Sequence, residues 1–292
     1  MRRKGGGGVA ATIALLAALP AGAGAQETVV PSSVAGARAV PAGKARSLTL
    51  TCPNTAVALH AAPVRIPSGV RVVNSAPGDN VRRWTLRFAS VARKRRRVTA
   101  VLRCVRLALP PAVRGVIVRV NTISLPNLRV RAGATRRRAL RCPRGYVPTG
   151  QGVGASTRAI SLSAAIPNRR GWAFRIRNRG NSAARASVRI RCLQRLVSGR
   201  RNGANETLAF RVRRVGYNFP VRSGRNHSAS GRCARSRFSL GTGVSIDRSD
   251  DISLLRSFPS GSRKGWWFFR NPGPPEPVRA YLLCLSQRSR FR

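Results

Sequence analysis

Residues able to do acid–base or nucleophilic chemistry are scarce in this chain. Histidine occurs only at His60 and His227, and no carboxylate lies between Asp79 and Glu206. A Ser–His–Asp or Cys–His arrangement needs a histidine base that an acidic side chain orients. The chain also lacks G-x-S-x-G, H-E-x-x-H and P-loop motifs. We therefore predict a protein that is not an enzyme, with both histidines in solvent-facing loops.

The one acidic cluster consists of Asp247, Asp250 and Asp251. Clustered carboxylates can coordinate Ca²⁺, or serve as the acid and base of a glycosidase-like site. The spacing does not follow an EF-hand loop, and Arg248 lies within the cluster. An acidic loop between two strands is the simpler interpretation, so we predict no metal site and no cofactor. A secreted enzyme or accessory protein that uses this loop remains an alternative.

The six cysteines support a different chemistry, the closure of disulfides. They occur at regular intervals, and no C-x₂-C pair or neighbouring histidine points to zinc. One pairing repeats along the chain without crossing between units: Cys52–Cys104, Cys142–Cys192 and Cys233–Cys284. Each bridge closes a loop of about 50 residues, which stabilises the fold by on the order of 4 kcal/mol in the chain-entropy model. Disulfides also indicate an oxidising compartment.

Arginine is the strongest chemical signal of the sequence. The chain carries 56 Lys and Arg against 7 Asp and Glu, for a formal net charge of +49. Guanidinium groups bind phosphate, sulfate and carboxylate bidentately. The candidate polyanion-binding residues are Arg93, Lys94, Arg95, Arg96 and Arg97, then Arg136, Arg137 and Arg138, and then Arg175, Arg177, Arg189 and Arg191, which alternate outward along strands. A solvated face that only keeps the protein soluble is the alternative interpretation.

A repeated pattern of Val-x-(Ala/Ser)-Gly positions these residues. Its glycines are Gly43, Gly133 and Gly224, which lie 90 and 91 residues apart, and a cysteine follows each at the same distance. This period predicts one structural unit used three times. The predicted units cover residues 27–112, 113–204 and 205–292. Their short joins predict a semi-rigid rod of three units.

Period-two alternation predicts that each unit is built of β-strands. Trp84, Leu86 and Phe88 alternate with polar residues, as do the residues around Trp172 and those before each second cysteine. Six or seven such strands, with a cysteine on an early and on the last strand, predict an antiparallel sandwich closed by one disulfide. The fold class is thus all-β, with three tandem antiparallel β-sandwich units of about 85–90 residues.

This combination of cysteines, strands and a tryptophan resembles the immunoglobulin-like and fibronectin-III-like sandwich modules that bacteria string together in secreted and surface proteins. The tryptophan lies later than in an immunoglobulin domain, and Leu102, Ile190 and Leu282 stand where that domain has its tyrosine. The resemblance therefore implies the sandwich class and not one strand topology.

The first 25 residues predict an export signal. Arg2, Arg3 and Lys4 precede a short apolar stretch, and the stretch 23–25 (Ala-Gly-Ala) matches a cleavage site near Ala25. No later apolar run is long enough for a transmembrane helix. We expect a protein that is secreted or associated with the cell envelope.

These observations together predict a non-enzymatic protein that binds anionic polymers of the cell envelope or extracellular matrix, such as cell-wall polymers or polysaccharides. Non-specific nucleic-acid binding is compatible with the charge. Sequence-tolerant binding of single strands uses exposed aromatic residues, whereas the tryptophans here have the pattern of core residues. An adhesion protein that binds a protein partner through its sandwich loops is a further alternative.

Overall fold

The computed structural model of the chain describes residues 28–108, 113–114, 118–201, 204–246 and 252–291. Every regular element in these ranges is a β-strand, and the paired strands run antiparallel. The all-β fold class is therefore confirmed. The predicted signal peptide and the Asp247–Asp251 loop lie outside the described residues.

The first six strands form a two-sheet unit, which we call the first repeat. They are β1 (Thr28–Val40), β2 (Ala45–Thr51), β3 (Val57–Arg65), β4 (Val70–Pro77), β5 (Arg83–Ser90) and β6 (Arg96–Ala108). β6 pairs with β1 and β3, whereas β5 pairs with β2 and β4. Cys52 follows β2 and Cys104 lies in β6, so their disulfide joins the two sheets of a sandwich.

The same pairing scheme recurs twice along the chain, in what we call the second and third repeats. The strands are β7 (Val113–Arg114), β8 (Val120–Val130), β9 (Thr135–Arg141), β10 (Tyr146–Ala155), β11 (Ile160–Asn168), β12 (Gly171–Asn178), β13 (Ala184–Gln194), β14 (Leu196–Arg201), β15 (Ala204–Val221), β16 (Arg225–Arg232), β17 (Phe238–Ser245), β18 (Ser253–Ser260), β19 (Lys264–Asn271) and β20 (Glu276–Phe291). β13 pairs with β8 and β10, and β12 pairs with β9 and β11. In the same way, β20 pairs with β15 and β17, and β19 pairs with β16 and β18.

The alternation in the sequence matches the burial in each core. Trp84, Leu86 and Phe88 are fully buried, and so are the alternate residues Trp172, Phe174 and Ile176 on β12. In the third repeat Trp267 takes the buried position, and the adjacent Trp266 is half-buried. The disulfides Cys142–Cys192 and Cys233–Cys284 complete the predicted pairing, which is confirmed for all three bridges.

The repeated glycine ends the turn between the first two strands of each repeat. Gly43, Gly133 and Gly224 have φ of 63°, 64° and 70°, in the left-handed region. A Cβ added at any of the three would meet no atom within 4 Å. The glycine is therefore required by the backbone conformation and not by a lack of space, and the period seen in the sequence marks the same turn three times.

The short joins predicted a semi-rigid rod, and this prediction is wrong, because each of the three repeats contacts both others. β4 of the first repeat pairs with β10 of the second at Asn74 and Gly154, and β11 of the second pairs with β17 of the third. The third junction closes the ring: Arg256 on β18 donates a hydrogen bond of 2.6 Å to the carbonyl oxygen of Val64 on β3. Such head-to-tail contacts close when the rotation between units allows it.

The predicted boundary between the second and third units falls inside a sheet. β14 and the start of β15 form a hairpin across residues 196–209, and β7 pairs with β14 at its far side. The apolar core of the second repeat also extends to Leu59 of the first repeat and Leu240 of the third. The exact domain limits at 112 and 204 therefore stay a prediction.

Candidate anion-binding surface

Strand β9 carries three consecutive exposed arginines, Arg136, Arg137 and Arg138. β9 forms the end of its sheet and pairs only with β12 among the described strands. Side chains on an edge strand have water on their free side, so even the residues that alternate toward the core, such as Arg138, extend past the end of the sandwich. Charged side chains on such an edge also prevent pairing with another chain.

Arg137 lies directly opposite Arg175 of β12 in the strand register. Side chains of directly opposed residues point to the same face, with Cβ atoms about 4.5–5.5 Å apart, and like charges in this position repel. Arg177 lies two residues further along β12, opposite Thr135, and is also partly exposed. Arg137, Arg175 and Arg177 point to one side of the sheet, and Arg136 and Arg138 extend from the other side of its edge strand. We call these five residues together the basic face.

A shallow cavity of about 430 Å³ adjoins the basic face. Residues in its wall include Arg137, Arg138 and Arg175, with Ala164, Ile166 and Ala173 among the apolar ones. The guanidinium group of Arg175 also donates a hydrogen bond to the carbonyl oxygen of Ile246 in the third repeat. The Arg175 side chain therefore reaches across the junction between the second and third repeats. The arrangement places several guanidinium groups around an apolar hollow, a geometry suited to a polymer that carries repeated oxyanions.

The second cluster of exposed cations lies in the connection from β5 to β6. Arg93, Lys94, Arg95, Arg96 and Arg97 are all exposed, but their connection is not a hairpin tip, because β5 and β6 lie in different sheets of the first repeat. We call these five residues the basic turn. Five adjacent exposed cations can contact a polymer chain at several points, although no two of them are paired in a strand register as Arg137 and Arg175 are.

Of the four predicted polyanion-binding residues that alternate outward along strands, Arg189 and Arg191 do not lie on the basic face, which corrects the prediction for these two. Both are on β13 in the other sheet of the second repeat. Arg189 donates a hydrogen bond of 3.3 Å to the Oδ1 atom of Asn74. Arg191 is only 2% exposed, and burial lowers its pKa to about 10. Alternation predicted the outward direction correctly, but the first repeat covers this side of the sheet.

Arg191 belongs to a set of arginines that join the repeats, which the sequence analysis did not identify. Its Nη2 atom lies 3.5 Å from the carbonyl oxygens of Gly78 and Arg83 in the first repeat. At the next junction Arg214 donates a hydrogen bond of 3.1 Å to the carbonyl oxygen of Pro167. At the third, Arg103 donates to the carbonyl oxygen of Gly261. The acceptors for these arginines are backbone carbonyl oxygens, because the sequence has few carboxylates to pair with them.

His60 corrects the prediction that both histidines face solvent. It is 3% exposed and packs edge-on against Trp84, with 5.9 Å between ring centroids. Burial, with added repulsion from Arg103, lowers the pKa of His60 to about 4. Gly241 of the third repeat lies beside the imidazole, because a Cβ there would be 3.4 Å from the ring. His227 is half-exposed, and its Nε2 atom accepts a hydrogen bond from the Arg222 backbone.

Two buried asparagines form a structural device that recurs in the second and third repeats. Asn178 donates to the carbonyl oxygen of Val130 at 3.1 Å, and Asn271 donates to that of Val221 at 3.0 Å. Each thereby fastens the end of one strand to the glycine turn. The sequence signal for this device is Asn-x-Gly after the tryptophan strand, at Asn178 and Asn271.

Within the described ranges, no group of three or more His, Cys, Asp or Glu side chains is arranged to hold a metal ion. The described part of the chain also contains no helix with the length and apolar character to cross a membrane. Three disulfides are typical of proteins in an oxidising compartment outside the cytoplasm. No model of a known protein family matches the chain, and no curated protein is significantly similar to it.

Proposed function

We propose that this protein is a secreted, non-enzymatic binder of anionic polymers, and that the basic face of the second repeat is its main contact. The observation that carries the proposal is the placement of Arg137 opposite Arg175 on an exposed face. The second repeat contains no Asp or Glu of its own, so cations dominate this surface. A bound oxyanion could accept charge-assisted hydrogen bonds from both guanidinium groups.

The physical basis of the affinity is electrostatic. Each cation that neutralises a charge on a polyanion releases a condensed counterion, so the affinity falls steeply with salt concentration. Guanidinium groups add geometric selectivity because they bind phosphate, sulfate or carboxylate through two parallel hydrogen bonds. The basic turn adds five cations that extend the contact without requiring one fixed geometry.

The aromatic residues favour envelope polymers and polysaccharides over single-stranded nucleic acid as the ligand. Binding of single strands without sequence preference uses aromatic side chains on which bases stack. Three of the four tryptophans, Trp84, Trp172 and Trp267, are fully buried in the sandwich cores, and the half-buried Trp266 lies on the third repeat and not on the basic face of the second. We propose that the protein is exported by the segment 1–25 and held at the cell envelope or in the surrounding matrix by its charge.

Binding across a sodium chloride series tests the proposal. The mature chain is titrated with dextran sulfate, polygalacturonate, poly(glycerol phosphate) and double-stranded DNA. The triple variant R136Q/R137Q/R138Q should flatten the slope of log affinity against log salt by about 2 to 3, as expected for the loss of three contacts. The preferred polymer identifies the ligand class.

A matched variant separates a site from a general effect of charge. Arg222, Arg232 and Arg235 are exposed in the third repeat, and R222Q/R232Q/R235Q removes the same charge at a different place. The proposal requires this control to change the slope much less than the triple variant on β9. Equal losses would show that net charge alone causes binding. Retention of a partner at high salt, with no polymer bound, would instead favour adhesion through the loops.

A further inference from the structure

A large cavity lies between the repeats, away from the basic face. Its volume is about 1380 Å³, and residues of all three repeats line it. Apolar walls come from Val70 and Val72 on β4, Val153 on β10, Leu162 on β11 and Phe268 on β19. Ligand cavities in proteins are about 300–1,000 Å³ and mainly apolar, so this one is large enough for a molecule with a long or branched apolar body.

Two polar side chains on the cavity wall have atoms without a partner. Neither ring nitrogen of His60 has a hydrogen-bond partner among the described residues, and the same holds for the Oε1 atom of Gln151. Buried polar atoms without a partner are rare, because each costs about 1–3 kcal/mol. A neutral imidazole offers one donor and one acceptor. These atoms are covered from solvent, so a polar group in the cavity can bond them only when the side chains turn toward it.

The charged groups on the wall are all cationic. Arg71 donates a hydrogen bond of 3.2 Å to the carbonyl oxygen of Thr157, and its Nε atom has no partner among the described residues. Arg256 lies with its guanidinium carbon 4.0 Å from the centroid of the Phe268 ring. Of the described residues that line the cavity, none is Asp or Glu.

The desolvation of these two arginines is consistent with a site that attracts an anion. Burial lowers the pKa of Arg71, and repulsion from Arg158 adds to the effect. Burial likewise lowers the pKa of Arg256, with repulsion from Arg65. A carboxylate or phosphate beside either guanidinium would offset both causes, whereas a second cation would strengthen them.

From this geometry we propose that the cavity binds one amphiphilic organic anion, whose carboxylate or phosphate group pairs with Arg71 or Arg256 and whose apolar body lies along Val70, Val153 and Phe268. This site is separate from the polymer contact on β9. A neutral molecule of the same shape leaves the cations unpaired, and a small inorganic anion leaves the apolar walls unoccupied. Both should therefore bind more weakly.

The test uses calorimetric titration of the full mature chain with decanoate and decyl phosphate, below their micelle concentrations. One molecule of decanoate or decyl phosphate should bind per chain. Decanol should bind with an affinity at least about tenfold lower, because the charge-assisted hydrogen bond is missing. Decyltrimethylammonium and inorganic phosphate should show no saturable binding. Comparison of the two anions identifies the preferred head group. Equal affinity for decanol and decanoate, or binding of many molecules per chain, would overturn the proposal.

Variants locate the site. R256Q should weaken decanoate binding by about tenfold, whereas R65Q, which removes an exposed neighbouring charge outside the cavity wall, should change it less than twofold. Should R256Q fail to fold, Ser228→Trp fills the cavity from the exposed strand β16 and should abolish binding, with Ser230→Trp on the same strand as its control. Unchanged binding in S228W contradicts the assignment.

An independent signal comes from the histidines, because the chain contains only two. Saturation with decanoate should shift the imidazole ¹⁵N resonances of His60, which has no protein partner among the described residues. Resonances of His60 that stay unchanged at saturation would show that the ligand binds elsewhere. R136Q/R137Q/R138Q should keep full affinity for decanoate, so failure of the polymer proposal and failure of this one are distinguishable.

Discussion

Arg191 of the second repeat lies over the indole ring of Trp84 in the first, with 6.0 Å between the guanidinium carbon and the ring centroid. Arg191 directly precedes the second cysteine of its repeat. Arg103 precedes the second cysteine of the first repeat, and Leu283 precedes that of the third. All three are buried. The residue before the second cysteine therefore contacts a neighbouring repeat at each junction, as an arginine in the first two repeats and as a leucine in the third.

The two buried arginines should respond differently to replacement by leucine. Arg103 donates hydrogen bonds to Ser33, Ser239 and Gly261, whereas the two contacts of Arg191 are at 3.5 Å, the limit for a hydrogen bond. R103L should lower the free energy of unfolding by about 3 kcal/mol, because it removes charge-assisted bonds. R191L should change it by less than about 1 kcal/mol, because it also removes a poorly compensated buried charge.

Denaturant unfolding of both variants, with matched m-values, checks this pair of predictions. Leu283 shows that leucine fits the equivalent position in the third repeat. A loss at Arg191 as large as that at Arg103 would mean that its long contacts stabilise the junction more than their geometry indicates.

Alternation in the sequence predicts which side of a sheet a residue faces, and this information alone locates much of the structure. It gives the buried faces of the strands around Trp84 and Trp172, and the equal intervals between cysteines give the disulfides. It does not show what lies against the outer side. Arg191 points out of its own sandwich, as predicted, but a neighbouring repeat covers it. His60 was predicted in a solvent-facing loop, and it lies instead on strand β3 at a buried position. The junctions pair residues far apart in the chain, such as Arg256 with Val64, and no local pattern encodes such a contact.

The basic face could be predicted only in part for the same reason. Arg136, Arg137 and Arg138 are consecutive, and a run of charges in a strand already favours an exposed edge. The position of Arg175 opposite Arg137 depends on the register between β9 and β12, which follows from the turn and the core packing together. The cavity between the repeats has no signal in the sequence, because its walls come from strands of all three repeats.

Reversing one charge on the basic face should separate stability from binding. R137E replaces the repulsion between Arg137 and Arg175 by an attraction, and should raise the free energy of unfolding by about 0.5 kcal/mol at low ionic strength. The same substitution should weaken polyanion binding. R136E is the matched control, because Arg136 lies opposite the buried Ile176 and not opposite an arginine.

Chemical denaturation at low and at high salt measures this effect. The gain in R137E should shrink as salt screens the pair, and R136E should show no comparable gain. A loss of stability in R137E would indicate that Arg137 already has a favourable partner in the native protein.

His60 should make the stability of the protein depend on pH in a defined window. Its pKa in the folded protein is about 4, below the value of 6.5 for an unperturbed histidine. Between these values the unfolded chain binds more protons than the folded one, so the free energy of unfolding falls as the pH falls from about 6.5 to about 4. The full loss is about 3 kcal/mol. Below this window both states are protonated and the contribution is constant.

The difference between the wild type and H60F measures this contribution across the pH range. Phenylalanine keeps an aromatic ring against Trp84 and does not titrate. The free energy of unfolding of the wild type relative to H60F should fall by about 3 kcal/mol as the pH falls through the window of His60, and stay constant outside it. Parallel curves would show that His60 is protonated in the folded state, with an anion or acceptor beside it.

The close approach of the repeats at Gly150 should make the molecule unfold as one unit. A Cβ added there would lie 3.0 Å from the Cβ of His60, and closer still to the carbonyl oxygen of Leu59. G150A should therefore force the first and second repeats apart and destabilise the protein by about 1–3 kcal/mol, the usual cost of overpacking. Gly216 is the control, because a Cβ there would be 3.7 Å from its nearest neighbour, and G216A should be close to neutral.

Scanning calorimetry distinguishes a closed ring from three independent units. In the wild type, the calorimetric enthalpy of unfolding should equal the van't Hoff enthalpy, because β4–β10 pairing, β11–β17 pairing and a shared core couple the repeats. G150A should broaden or divide this transition, and G216A should not. Three separate transitions in the wild type would contradict the coupling. A single unchanged transition in G150A would place the coupling in the other two junctions, at Arg214 and Arg256.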